Sequence, residues 1–384
     1  MGILSWGGRR RPPGADAELK EATALLRTGE LAAAEQRLRE LLAVREGARK
    51  PDPGTVVPVQ TVLWLVELAL GRPEEALRLA EAASSLVESD RRPPLNKVLA
   101  LRTMAATTHM LCGRFALAEA GLADVAQRYG ACSAPTPSTV KAYFASRIVH
   151  CRLLSVQARF GEVVAAVDEL MPRLVMVLGA ADKLVYRALL LRAEVLAMLG
   201  RYEQAASECG ALLAVRPDSV PEKERAGAAR GLAYCLVETG RAAEAETVLR
   251  DVLASSERSS PTGSVTWALR RELANALSRQ GRYDEALALV EGPPTRALDA
   301  PGEHQLQRAT ALLGLGRRAK AEAAAEEALA AAAAVLAPAH VNVLEIRTVL
   351  ARVRDTPEEW AALTADWNTH YGPDHPRARA AADH

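Results

Sequence analysis

The sequence predicts an all-α fold, an α-solenoid of about nine antiparallel helix–turn–helix repeats. A glycine followed by Arg, or close to one, recurs eight times at intervals of 35 to 48 residues: Gly29, Gly71, Gly113, Gly161, Gly200, Gly240, Gly281 and Gly316. The fifth residue after each glycine is an alanine: Ala34, Ala76, Ala118, Ala166, Ala205, Ala245, Ala286 and Ala321. This self-similarity indicates stacked helical hairpins, because one hairpin cannot bury its apolar face alone.

Each repeat is predicted to be a helix, a turn at the glycine and a second helix. Glycine ends a helix in the left-handed conformation without steric cost. Around Gly200, apolar residues recur at helical spacing on both sides: Leu189, Ala193 and Leu196 before the turn, then Ala205, Cys209 and Leu212 after it. Both helices are therefore predicted to be amphipathic. Arg216-Pro217-Asp218 is predicted to end this hairpin.

Small residues also precede the turns. Six of the eight residues that lie seven positions before the glycines are alanine; the full set is Ala22, Trp64, Ala106, Leu154, Ala193, Ala233, Ala274 and Ala309. Together with the alanines after the turns, they predict places where two helix axes approach closely. Larger side chains there would overpack the joint by roughly 1–3 kcal/mol.

The predicted order of elements is a disordered tail over residues 1–15, one solenoid over 16–376 and a C-terminal tail over 377–384. The seventh repeat has a truncated second helix that ends at Gly292-Pro293-Pro294. A degenerate capping repeat without a glycine turn is predicted over 340–371. Met1–Pro13 lacks the apolar core of a signal peptide, and no stretch is long and apolar enough to span a membrane.

Composition limits the function classes. Apolar residues make up 49% of the chain and aromatics only 4%, which favours helical Ala/Leu packing. The formal net charge of +1 provides no electrostatic case for nucleic acid. Five cysteines without a Cys-x-x-Cys pair indicate buried thiols in a reducing cytoplasm. The excess of Arg over Lys, with abundant Ala, is typical of a bacterial protein.

The repeats resemble the tetratricopeptide repeat (TPR), as in Gly200-Arg201-Tyr202 and Gly281-Arg282-Tyr283 followed by alanine. The average period of about 41 residues is similar to that of the 42-residue branch seen in kinesin light chains and bacterial TPR proteins. The junctions Ala337-Pro338-Ala339-His340 and Gly372-Pro373-Asp374-His375-Pro376 resemble that branch too. The resemblance covers residues 16 to 376 and implies a right-handed superhelix that binds other proteins.

Catalytic and metal-binding motifs are weak. Ser138-Thr139-Val140-Lys141 has the Ser-x-x-Lys spacing of serine acylases, but Ser138 suits a helix cap better. His109 with Cys112 and His150 with Cys151 could be brought together around zinc, although ordinary packing is the preferred interpretation. We therefore expect no enzyme activity, no cofactor and no metal.

The resemblance implies that the first helix of each repeat lines a concave groove. In the second and third repeats the lining is apolar and includes Leu65, Leu68 and Met110. In the sixth and seventh it is polar and basic, with Arg230, Tyr234, Arg271 and Asn275, and Gln307 follows in the next repeat. Arg271 and Asn275 lie one helical turn apart, as do the basic residue and the Asn of TPR modules that hold a peptide carboxylate. The alternative is a solvated face with intrahelical pairs.

Two further hypotheses concern partners. Residues 56–70 are apolar nearly all round, so this helix is predicted to be enclosed and to offer one face to a partner helix or a homodimer. The leading function is a non-enzymatic scaffold or adaptor that binds a peptide or helix of another protein. The alternative is a bacterial regulator that senses a signalling peptide or controls a regulator by contact. Fewer than 20 residues precede the first repeat, which leaves no room there for a DNA-binding module.

Overall fold

The structure is a computed structural model that describes residues 15–49, 51–215, 220–261, 263–292 and 301–384. These residues form nineteen α-helices and no strand. The helices are α1 Ala15–Thr28, α2 Leu31–Glu46, α3 Pro53–Ala69, α4 Pro73–Glu88, α5 Leu95–Leu111, α6 Phe115–Gly130, α7 Pro137–Val156, α8 Phe160–Leu178, α9 Lys183–Met198, α10 Tyr202–Ala214, α11 Glu222–Glu238, α12 Ala242–Ser259, α13 Ser264–Arg279, α14 Tyr283–Val290, α15 Glu303–Gly314, α16 Arg318–Ala333, α17 Val341–Arg354, α18 Pro357–Tyr371 and α19 Pro376–Ala382. The first eighteen make nine antiparallel pairs, which confirms the all-α repeat fold predicted from the sequence.

Contacts divide the chain into two compact units. The N-terminal unit contains the residues up to His150, together with 260, 261 and 263; the C-terminal unit contains the remaining described residues from Cys151 on. The predicted N-terminal tail lies outside the described residues, apart from Ala15, at which α1 begins. Arg216, Pro217 and Asp218, predicted to end the fifth hairpin, and Pro293-Pro294 also lie outside them. The truncated second helix of the seventh repeat is confirmed, since α14 has only eight residues.

Seven of the eight predicted glycine turns have the left-handed conformation, with φ between +70° and +85°. The fourth prediction was wrong. Gly161 lies in the first turn of α8, and the left-handed residue is Ala158, with φ of +60°. The sequence pattern selected the glycine because glycine adopts positive φ most easily, whereas here an alanine tolerates the strain.

The packing follows the corrected turn. Counting from Ala158, the fifth residue after the turn is Val163 and the seventh before it is Cys151, and both are buried. Ala166 and Leu154 were predicted for these two places; Ala166 is only half-buried. At the other seven turns the alanine five residues on is fully buried. A buried alanine therefore follows seven of the first eight turns at this position, and Val163 takes its place after the fourth.

The capping repeat has a turn that the sequence analysis did not identify. Asp355 ends α17 in the left-handed conformation, with φ of +56° and ψ of +46°. Asp adopts this conformation more readily than most residues because its short side chain bonds locally. The ninth pair, α17 and α18, is therefore a complete hairpin.

The prediction that residues 377–384 form a tail outside the solenoid was wrong in part. Residues 376–382 form α19, which packs against α18 and buries Ala378 and Ala381. Pro376 occupies the first helical turn, where proline is well tolerated, and the His375 side chain accepts a hydrogen bond from the Arg377 amide. The two buried alanines give this short helix an apolar side.

Helices are layered within the C-terminal unit. The first helices α9, α11, α13, α15 and α17 pack side by side, and each second helix from α10 to α16 packs between two of them. Because the first helices also contact one another, they form the inner layer. The segment before α17 meets the start of the unit: the Ala337 amide donates to the Val156 carbonyl at 2.9 Å, and Phe160 packs edge-on against His340. No helix among the described residues is long and apolar enough to cross a membrane.

Candidate functional site

The predicted polar groove residues share the inner layer of the C-terminal unit. Arg230, Tyr234 and Glu238 follow one another at intervals of four on α11, so they lie on one side of the helix. Arg271, Asn275 and Arg279 have the same spacing on α13. We call the side chains on α11, α13, α15 and α17 that meet there the inner face.

The first cluster of the inner face is centred on Glu303, at the start of α15. Its Oε2 accepts hydrogen bonds from Arg230 at 3.3 Å and from Arg271 at 3.4 Å. Asn342 of α17 donates to the other carboxylate oxygen at 3.5 Å. Only 4% of Arg271 is exposed, so its guanidinium faces this acid of its own chain instead of open solvent.

Asn275, the second residue of the predicted carboxylate clamp, is also engaged. Its amide donates to Glu272, one turn earlier on α13, at 3.0 Å. Burial raises the pKa of Glu272 to about 7, and the nearby Glu303 and Glu345 carboxylates add to this effect against the attraction of Arg230. The clamp residues are therefore half-buried or buried and joined to acids on the same face. Gln307 is half-buried on α15, one turn after Glu303.

The second cluster joins α11, α17 and α19. Tyr234 donates its hydroxyl to Glu345 of α17 at 2.8 Å, and Arg377 of α19 donates to the same carboxylate at 2.9 Å. The same Arg377 nitrogen, Nη2, also donates to Glu238 at 2.8 Å. Arg279 of α13 completes the cluster with a 2.9 Å bond to Glu238. One arginine thus bridges carboxylates from helices three repeats apart.

These charges are largely withdrawn from water. Only 6% of the Glu238 side chain and 14% of the Glu345 side chain are exposed. Burial raises the pKa of Glu345, and the adjacent Glu238 carboxylate raises it further, while Arg377 opposes both. For Arg377, burial alone would lower the pKa, but the two carboxylates hold it well above its ordinary value. Each acid therefore depends on a cation in this place.

Two tyrosines, Tyr202 and Tyr234, lie next to the Arg377 side chain. Tyr202 begins α10 directly after the Gly200-Arg201 turn, and its ring meets that of Tyr234 edge-on at a centroid distance of 6.3 Å. Tyr202 is buried, and burial raises the pKa of its hydroxyl above the ordinary value. We call Tyr202, Tyr234, Glu238 and Glu345 the guanidinium pocket.

The segment that carries Arg377 is positioned by aromatic packing. His375 stacks on Trp367 of α18 with a centroid distance of 5.0 Å, and its Nε2 lies 3.2 Å from the Met198 carbonyl oxygen. A side chain at Gly200 would meet Pro376 at 2.8 Å, so this glycine allows the close approach of the segment. The segment thereby reaches across the end of α9 to the inner face.

The predicted apolar lining belongs to the N-terminal unit. Leu65 and Leu68 of α3 are half-buried, whereas Met110 of α5 is buried. The indole of Trp64 donates to Thr108 at 2.8 Å, which joins α3 to α5. Leu65 and Leu68 therefore stay partly accessible, and Met110 is part of the packing.

Helix α3 is enclosed, as its all-round apolar sequence predicted. Its buried residues include Gln60 and Glu67 as well as the valines, and α2 and α4 pack on either side. Glu67 is fully buried and accepts a 2.6 Å bond from Arg39, with Arg72 at 3.5 Å. The homodimer surface predicted on this helix finds no support in these contacts.

Other chemistry has little basis in the part of the chain that the structure describes. No three His, Cys, Asp or Glu residues there are grouped as metal ligands. All five cysteines are described and lie outside any disulfide, and burial raises the pKa of Cys209 and of Cys235 to about 12. Such thiols stay protonated at neutral pH and are poor nucleophiles.

The sequence analysis missed the acids and the arginine that organise the inner face. Glu345 lies ten residues before the Asp355 turn, the same offset that selected Arg230 and Arg271 before their glycines. If Asp355 had been considered as a turn residue, the same offset would have selected Glu345. Arg377 lay one residue beyond the predicted end of the solenoid.

Comparisons with known proteins support the repeat family. Residues 268–292 match the family model of the tetratricopeptide repeat. The fold resembles a crystal structure of Rap protein complexed with competence and sporulation factor, with a TM-score of 0.54 and 13% identity over 97% of this chain and 98% of that one. A search of curated proteins found no match.

Two other solved structures share part of the arrangement. A putative kinesin light chain of Podosopora anserina with TPR-like repeats has a TM-score of 0.38 and 17% identity, covering 58% of this chain and 99% of that one. A tetratricopeptide repeat protein from Parabacteroides merdae ATCC 43184 has a TM-score of 0.34 and 16% identity, covering 88% and 98%. The match to the family model and the fold shared with Rap protein confirm the resemblance to TPR proteins inferred from the sequence.

Proposed function

We propose that this chain of tetratricopeptide repeats is a non-enzymatic, cytoplasmic scaffold or adaptor that binds a segment of another protein on the inner face of its C-terminal unit. One observation supports this most directly. Arginines, glutamates and tyrosines lie together on the inner face, whereas Ala and Leu predominate where the helices pack in the rest of the layer. A buried ion pair stabilises a fold no better than apolar residues of similar size. Charges concentrated on one face therefore favour recognition over stability.

The contacts of Arg271 and Asn275 change the predicted binding mode. Both already bond to acids of the same face, so a peptide carboxylate would compete with Glu303 and Glu272 for them. Gln307 on the neighbouring helix α15 is half-buried, so a partner can reach it more easily than the buried Arg271. We infer that partner segments bind by exchanging polar contacts with the clusters, with Arg230, Tyr234 and Gln307 at the contact surface. The partly exposed Leu65 and Leu68 offer a second, apolar contact in the N-terminal unit.

The test compares partner capture by the full-length protein and two arginine variants. Gln307→Arg places a long cation on the inner layer, and Thr247→Arg places the same side chain on the exposed surface of α12. We expect proteins enriched by the parent and by Thr247→Arg to be depleted at least tenfold with Gln307→Arg. Equal capture by both variants would exclude the inner face as the binding surface.

A second candidate is a regulator that responds to a signalling peptide. The resemblance in fold to Rap protein in complex with competence and sporulation factor, over nearly the whole of both chains, favours it. Native mass spectrometry of the protein purified from its own cells tests this candidate. A bound peptide that Gln307→Arg abolishes supports it, whereas capture of folded proteins alone favours the scaffold.

A further inference from the structure

We propose that the guanidinium pocket of the C-terminal unit is a binding site for an arginine side chain of the partner, and that segment 372–382 occupies it through Arg377 until such a partner displaces it. This inference rests on the proposed function, because it specifies the chemistry of the partner segment that the inner face recognises.

The pocket requires a cation. Glu238 and Glu345 come from α11 and α17, and both accept from the same nitrogen of Arg377, at 2.8 and 2.9 Å. Without that nitrogen, two carboxylates would face each other in a site that is almost closed to water. Arg279 and Arg352 remain near Glu238, but the hydrogen bonds of Glu345 would then reduce to the one from the hydroxyl of Tyr234. An unpaired buried acid is costly, so an empty pocket attracts a replacement cation.

Guanidinium suits the pocket better than ammonium. A flat guanidinium can lie against aromatic rings and donate several hydrogen bonds in one plane. Tyr202 and Tyr234 supply the rings, and the bond from Tyr234 to Glu345 fixes the direction of that carboxylate. A compact ammonium has no flat face to lay against a ring and lacks the planar fork of donors.

Arg377 does not use the pocket fully. Its Nη2 makes both carboxylate bonds, while its Nε is buried without a hydrogen-bond acceptor among the described residues. A buried donor without an acceptor is destabilising. The chain's own arginine is thus an imperfect occupant, and an arginine approaching at another angle can satisfy more donors.

The segment also ends in a short helix. Helix α19 has seven residues, fewer than an isolated helix needs for stability in water. Beyond Arg377, it is attached by its packing on α18, where His375 stacks on Trp367 and Ala378 and Ala381 are buried, and by the contacts of His375 and Pro376 at the end of α9. Arg379, two residues on, is exposed and paired only with Asp374 of the same segment. Such elements open at low free energy while the rest of the fold stays closed.

The experiment uses full-length protein and a small arginine probe. Arg377→Ala empties the pocket, and Arg379→Ala removes an arginine from the same helix without touching it. Isothermal titration with N-acetyl-arginine methylamide is expected to show saturable binding to Arg377→Ala, at least tenfold tighter than to the parent or to Arg379→Ala. The corresponding lysine probe is expected to bind at least fivefold more weakly than the arginine probe. Equal binding of the arginine probe to all three proteins would overturn the proposal.

A second measurement needs no variant, so it holds even where Arg377→Ala does not fold. In the parent protein, excess arginine probe is expected to accelerate amide hydrogen exchange at residues 377–382 and leave α13 unchanged. Exchange that stays constant at 377–382 would show that the probe does not displace the segment. Partner capture that depends on Gln307, together with these negative results, would remove the arginine site while leaving the proposed function intact.

Discussion

The turn between α7 and α8 provides a direct test of how the sequence specifies the repeat. The sequence pattern assigns the turn to Gly161, and the structure assigns it to Ala158. The two assignments predict opposite effects for two simple substitutions, Ala158→Gly and Gly161→Ala.

The magnitudes follow from backbone conformation. Ala158 has φ of +60°, and an L-residue with a Cβ pays roughly 1–2 kcal/mol in that region. Glycine removes this strain but gains freedom in the unfolded chain, which costs about 0.4–1 kcal/mol. Ala158→Gly is thus expected to stabilise the fold by about 0.5–1 kcal/mol. Gly161 lies in the first turn of α8, and a Cβ there would meet no atom within 4 Å. Gly161→Ala is therefore expected to stabilise by about 0.5 kcal/mol.

Native-state amide hydrogen exchange across α7 and α8 measures both changes locally, and urea unfolding measures them globally. Slower exchange is expected in α8 for each variant, and the double variant should approach the sum of the two effects. The matched control is Gly200→Ala, which is expected to destabilise because Gly200 has φ of +75° and lies against Pro376. A loss of stability in Gly161→Ala, without a gain in Ala158→Gly, would refute the assignment of the turn to Ala158.

Three further predictions concern burial and charge. Glu67→Ala is expected to cost about 1.5–3 kcal/mol in urea unfolding, because Arg39 and Arg72 each lose a hydrogen bond to a fully buried carboxylate while keeping Glu35, whereas Glu74→Ala at an exposed ion pair is expected to cost under about 1 kcal/mol; similar losses would contradict this. Ala205→Leu is expected to cost about 1–3 kcal/mol by overpacking a joint, while Ser207→Leu on the exposed side of α10 changes thermal stability little; a neutral Ala205→Leu would remove the small-residue argument. The folded pKa of Glu272, about 7, exceeds the unfolded value of 4.5, so the folded state binds more protons between these values and loses stability as pH rises through them. Glu272→Gln is therefore expected to flatten the pH dependence of stability between pH 5 and 8 and to stabilise the protein at pH 8; an unchanged profile would contradict the shifted pKa.

The repeat architecture was accessible from sequence because its signals are local. A glycine at a turn and an alanine five residues later are each required by one hairpin, so they recur with every repeat. The fourth and ninth turns were not predicted correctly, because the local signal, a glycine at the turn, is missing from both. Ala158 and Asp355 take the left-handed conformation, although neither residue type marks a turn as clearly as glycine. What fixes them is the packing of Val163 and Trp360 five residues on, and this packing depends on the neighbouring repeats.

Only part of the candidate site could be predicted from the sequence. Regular offsets from the glycines selected Arg230, Tyr234, Arg271 and Asn275, and all four lie on the inner layer of the C-terminal unit. Their partners were not selected. Glu303 lies at a helix start, outside the offset rule, and Glu345 precedes the unrecognised Asp355 turn. Contacts between residues more than 30 positions apart, such as Arg271 with Glu303, depend on how the helices stack. No periodicity within one repeat contains that information.

The same distinction explains why Arg271 and Asn275 resembled a carboxylate clamp. A helical spacing shows that two side chains share a face, but it does not show what stands opposite them. Here the opposite groups are Glu303 and Glu272, so the basic face is balanced by acids of its own chain. A partner that binds such a face must replace ion pairs that already exist within the chain. The free energy of binding is therefore only the difference between the new contacts and the internal contacts that are lost. Specificity then depends on which internal contacts a partner replaces. On the inner face, Glu303 accepts its bonds at 3.3 to 3.5 Å, and Arg377 holds two carboxylates through one nitrogen while its Nε has no acceptor among the described residues.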